Sequence, residues 1–120
     1  MDKAQAIHQF WSRFGTAYDE NTVPDDAQMP YITYSVDTGS LEDVLTVSGD
    51  LWERSTSWEG ITKKAQEIAD YIGPGGRSVK IDNGYMYLCR GNPFSQRMAD
   101  DGDNVRRIYL IIQIEFLTQD

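Results

Sequence analysis

Arg106-Arg107-Ile108-Tyr109-Leu110-Ile111-Ile112-Gln113-Ile114-Glu115-Phe116-Leu117 decides the fold. Ile108, Leu110, Ile112, Ile114 and Phe116 alternate with Tyr109, Ile111, Gln113, Glu115 and Leu117. Side chains two apart share one face of a strand, so this run has one fully apolar face and one half-polar face. A sheet covered by helices on one side only has that signature.

Working backwards, the neighbouring segments supply the rest of such a sheet. Tyr31-Ile32-Thr33-Tyr34-Ser35-Val36 is rich in aromatic and β-branched residues and predicts a strand. Asp37-Thr38-Gly39-Ser40 is turn material. Residues 44–53 resume as a strand, with Leu45, Val47 and Leu51 on one face and Thr46, Ser48 and Asp50 on the other. Gly49 interrupts the apolar face and is read as a bulge. Residues 78–81 and 85–90 flank Asp82-Asn83-Gly84, where an Asn-Gly pair predicts a type I′ hairpin with two positive φ angles.

Two helices complete the pattern. Ala4, Ile7, Trp11 and Phe14, widened by Phe10, recur at helical spacing up to a stop at Gly15. Thr56-Ser57-Trp58-Glu59 fits a capping box, followed by the stripe Trp58, Ile61, Ala65, Ile68, Ala69, Ile72 and the terminator Gly73-Pro74-Gly75-Gly76. Residues 18–28 read as acidic and irregular. The expected order is α-β-β-α-β-β-β. It predicts a single α+β domain over 1–120, a mainly antiparallel sheet with both helices on one face.

Composition narrows the function. The 120 residues carry net charge −8, which argues against wrapping nucleic acid, since that needs Lys and Arg against phosphates. The first residues, Met1-Asp2-Lys3-Ala4-Gln5, open no apolar run, so no leader is expected, and no apolar run is long enough for a membrane span. Cys89 is the only cysteine, so no intrachain disulfide can form; it is expected to be a buried, reduced thiol. His8 is the only histidine and lies off the apolar stripe, which makes a zinc site improbable. Asp100-Asp101-Gly102-Asp103-Asn104 resembles a calcium loop only superficially. Counted from Asp101, the sixth and twelfth positions hold Arg106 and Ile112, not the required Gly and Glu. Gly73-Pro74-Gly75-Gly76 ends a helix, whereas phosphate cradles open one. No catalytic residue, cofactor or metal is expected.

Residues 90–105 read as one long loop, and loops above about 12–15 residues are usually functional or disordered. It carries Phe94, Arg97 and Met98, with Arg106 and Arg107 at its far end. These five are the candidate protein-interface residues. The loop is expected to be mobile until it docks on a partner. The competing reading for Arg90, Arg97, Arg106 and Arg107 is local salt bridges to Asp100, Asp101 and Asp103.

Several segments, in order, resemble the tail terminator (tail completion) proteins of long-tailed bacteriophages and their prophages. They are Phe10-Trp11-Ser12-Arg13-Phe14, Tyr18-Asp19-Glu20-Asn21-Thr22-Val23-Pro24, Met29-Pro30-Tyr31-Ile32-Thr33-Tyr34, Leu51-Trp52-Glu53-Arg54-Ser55-Thr56-Ser57-Trp58, Arg90-Gly91-Asn92-Pro93-Phe94, and the final strand from Arg106 to Phe116. The resemblance implies a structural protein of the virion neck, assembled in the bacterial cytoplasm. It would form a ring, typically a hexamer, that caps the tail tube, ends its polymerisation and offers a docking surface to the head connector or stopper. DNA would pass through the ring without specific binding. The alternatives are another neck component, such as a head-completion or stopper protein, or a small enzyme or ligand-binding domain with a pocket lined by Tyr31, Tyr34, Tyr85 and Tyr87.

Overall fold

The computed structural model describes residues 1–36, 44–99 and 102–119. The turn expected at 37–40 and the acidic pair Asp100 and Asp101 lie outside the described residues. The elements are α1 (Lys3–Ser12), β1 (Ala17–Asp19), β2 (Tyr31–Val36), β3 (Val44–Arg54), α2 (Glu59–Ile72), β4 (Arg77–Ile81), β5 (Gly84–Met98) and β6 (Val105–Thr118). The strands form one sheet in the order β1-β2-β3-β6-β5-β4. Only the β1–β2 pair is parallel; the remaining pairs are antiparallel. The fold is α+β, as expected.

The most apolar strand lies inside the sheet. β6 pairs along its length with β3 on one side and β5 on the other. Ile108, Leu110, Ile112, Ile114 and Phe116 are all buried. They share a core with Ile7, Phe10 and Trp11 of α1 and Ile61, Ala65, Ile68 and Ile72 of α2. Both helices therefore cover the same sheet face.

Helix ends depart from expectation in detail. α1 opens with an unanticipated capping box: Asp2 Oδ1 accepts from the Gln5 amide at 2.8 Å, and the Asp2 amide donates to Gln5 Oε1 at 3.0 Å. Its buried small residue is Ala6; Ala4 is exposed. α2 has no Thr56 box. Ser57 Oγ accepts from the Glu59 amide at 3.1 Å, and Trp58 occupies the N-cap without a side-chain bond. Thr56 is held instead through its carbonyl, which accepts from Arg106 Nη2 at 2.8 Å. Glycine ends α2 as expected, but Gly73 is the C-cap at φ 79° and ψ 162°, a positive-φ conformation outside the expected left-handed helical region.

Gly49 marks no bulge. The β2–β3 and β3–β6 registers run through it without a shift. A Cβ there would stand 2.4 Å from Cη2 of Trp11, so the glycine is the floor on which the indole lies. The Asp82-Asn83-Gly84 hairpin exists, but its turn falls one residue earlier than the Asn-Gly pair implies. Ile81 pairs with Gly84, and Asn83 alone of the three has positive φ, 64°. β1, Ala17–Asp19, overlaps the start of the run 18–28 read as irregular.

The largest correction concerns residues 90–105. They are not a free loop: β5 continues to Met98 and pairs with β6 again from Ser95↔Leu110 to Met98↔Arg107. Only 91–94 leave the ladder, four residues standing opposite the single Ile111. Gly91 fits there because a Cβ would come within 2.6 Å of the Ile111 carbonyl oxygen. The length of β6 explains the pairing, since its exposed ladder groups recruit a polar segment with little strand propensity of its own.

A candidate protein-binding surface

The five interface candidates do not converge. Alternation separates Arg97 from Met98 and Arg106 from Arg107 between the two sheet faces, and the irregularity at 91–94 turns Phe94 to the helix side. Phe94 and Arg97 face the helix side. Phe94 packs partly buried against the core, and the Arg97 guanidinium lies 4.9 Å from the Trp58 ring centroid. Arg106 lies on the same side at 5.3 Å from that ring, donating to the Thr56, Gly102 and Val105 carbonyls. Glu53 stands opposite Arg106 in the β3–β6 register. Met98 and Arg107 point to the other, uncovered face.

Phe94 is thus a structural side chain and not a stranded anchor. Phe94→Ser should lower stability by about 1–2 kcal/mol, part of the value of a fully buried aromatic. A thermal melt indistinguishable from wild type would restore the docking-arm reading.

Among the described residues the arginines bond to the body of the fold; the expected pairs with Asp100 and Asp101 lie outside those residues. Arg90 donates through Nε (3.1 Å) and Nη2 (2.7 Å) to the Ala69 carbonyl in the last turn of α2, where a cation meets the negative helix end. Arg107 pairs with Asp50 at 3.3 Å, and both side chains are less than one-fifth exposed. Arg107 also stacks 5.0 Å from the Trp52 ring centroid.

That pair belongs to a row across the uncovered face. Tyr18 meets Tyr31 at 5.9 Å, Tyr31 meets Trp52 at 6.3 Å, and Trp52 Nε1 donates to Thr33 Oγ1 at 3.0 Å. Toward the other end of the face stand Val44, Tyr85 and Leu117, about half exposed or more (60%, 49% and 52%). Cys89 sits among them half-buried, not fully buried as expected, because alternation places it with Tyr85 and Tyr87, away from Met86 and Leu88. Apolar side chains grouped on an exposed surface mark interaction sites.

The tyrosine pocket does not exist. Tyr34 faces the core and stacks on Trp11 at 6.3 Å, whereas Tyr31 lies on the opposite face. Tyr85 and Tyr87 are on β5, separated from β2 by the two strands β3 and β6.

His8 Nδ1 lies 2.8 Å from Tyr34 Oη, and Ser12 Oγ lies 3.1 Å from His8 Nε2. His8 and Ser12 share one exposed face of α1 and reach Tyr34 on β2. The row ties α1 to β2 and lines none of the cavities described for the molecule. Burial, then the nearby Asp19 charge, raises the Tyr34 hydroxyl pKa, which keeps the phenol neutral. Among the described residues no group of three or more His, Cys, Asp or Glu could hold a metal. Among the same residues no helix is long and apolar enough to cross a membrane.

A groove that sequence reasoning missed lies between α2 and the second half of β5. It encloses about 310 Å³ and is lined on the helix by Ala65, Gln66 and Ala69 and on the strand by Phe94, Ser95 and Arg97. The two alanines leave space beside the isoleucines of the stripe, but the groove exists only once β5 packs against α2. No protein-family model matches the chain, and no curated protein matches it.

Proposed function

We propose that this chain is a non-enzymatic virion assembly protein, a ring of identical copies that closes a phage tail tube. The ring ends tube growth and presents its far side to the head connector. DNA crosses the lumen, and net charge −8 keeps its backbone from adhering. The observation that supports this reading best is the uncovered sheet face. A two-layer domain leaves Tyr31, Trp52, Val44, Tyr85 and Leu117 without a covering layer among the described residues, which is what an assembly component needs and an isolated enzyme does not. The segmental resemblance to tail terminators supplies the identity of the partners.

Electron microscopy of the purified chain tests the ring. The expected result is closed rings of about six copies with a central opening. A homogeneous monomer across the whole accessible concentration range would overturn the proposal.

A further inference from the structure

The α2–β5 groove is bordered by an unpaired strand edge. β4 pairs with β5 only as far as Arg77↔Leu88, yet β5 runs on to Met98. Past Leu88 the outer edge of β5 meets no strand among the described residues. Such an edge offers backbone donors and acceptors to an incoming extended segment. Arg90 closes one end of the groove by bonding Ala69, and the alanines at 65 and 69 keep its floor shallow and apolar.

The charge of the groove selects its occupant. Among the described residues Arg97 is its one charged lining group, exposed and positive. The carboxylate nearby on α2, Asp70, already accepts from Gln66 Nε2 at 2.8 Å. An acidic segment is therefore favoured. The chain offers one at the opposite edge of its own sheet. After β1, residues 20–28 carry Glu20, Asp25 and Asp26 and no Lys or Arg. The Ala27 amide closes a turn on the Pro24 carbonyl at 3.1 Å, and Asp25 and Asp26 are exposed at its tip.

Groove and acidic turn occupy opposite edges of one sheet. A contact between two different surfaces so placed is heterologous, and heterologous contacts build a ring where the rotation between neighbours closes and a filament where it does not. We propose that the acidic turn 20–28 of one copy docks in the α2–β5 groove of the next, with Asp25 and Asp26 against Arg97. This rests on the ring reading and adds the surfaces that build it.

Charge reversal tests it, read by sedimentation velocity on variants whose circular dichroism matches wild type. Arg97→Glu alone, and Asp25→Lys with Asp26→Lys, should each weaken self-association about tenfold or more. The three substitutions together should restore it. In a second arm, Ser95→Cys and Asp26→Cys in a Cys89→Ser background should give a disulfide ladder beyond the dimer. Wild-type rings that persist in both charge variants would overturn this interface and leave the ring reading intact. So would loss in both without rescue or ladder. A wild-type chain that never self-associates would overturn the ring reading and this inference together.

Discussion

Ile68→Ala is expected to destabilise the fold by about 2–5 kcal/mol, the usual range for emptying a fully buried aliphatic site. Ile68 has no solvent exposure and sits mid-helix on α2, in the core shared with β6. Its neighbours are held by two long strand pairs, so the sheet cannot collapse into the space, which favours the upper half of that range. For a chain of this length the loss corresponds to a fall of about 8–20 °C in melting temperature. Glu67→Ala, one position away and exposed, is the control and should move stability by about 0.5 kcal/mol or less. Chemical denaturation of both variants decides the matter. An Ile68→Ala variant as stable as the control would mean that α2 does not pack on β6 in this register.

The second large effect is expected at Gly49. Adding one methyl group there brings carbon within 2.4–2.9 Å of three atoms of the Trp11 indole. Trp11 is fully buried and held from its other sides by Phe10, at 4.9 Å, and Tyr34, at 6.3 Å. The ring has nowhere to retreat. Gly49→Ala should cost about 3 kcal/mol, the upper part of the overpacking range. The cost should shrink in a Trp11→Phe background, where the outer ring is gone, so a double-mutant cycle must show coupling. Additive effects would show that the indole does not rest on Gly49.

Both effects follow from packing, and the two sites were unequally legible in the chain. The Ile108-to-Phe116 alternation and the Ile61/Ala65/Ile68/Ile72 stripe announced their faces because burial on one side writes a strict period into sequence. Gly73 announced the end of α2 for the same reason of principle: only glycine takes that backbone conformation cheaply. Gly49 was visible but misread, because a glycine in a strand records a close approach without saying whose. The polar run Ser95-Gln96-Arg97-Met98 gave no strand signal; its pairing is imposed by β6. β1, three residues joined parallel to β2, is too short to leave a pattern. For the candidate site, the period-2 rule already separates Arg97 from Met98 and Arg106 from Arg107. Grouping them in one loop suppressed that information. The α2–β5 groove needs both elements in place before it exists, so no local pattern encodes it.

Tail length is the most direct readout of the central proposal. Electron micrographs should compare particles assembled with this chain and without it, in the phage or prophage that the proposal takes as its source. The proposal predicts that without the chain tails grow to uncontrolled lengths and fail to join filled heads, and that supplying the chain in trans restores uniform, joined tails. Tails of normal length joined to heads in its absence would contradict it.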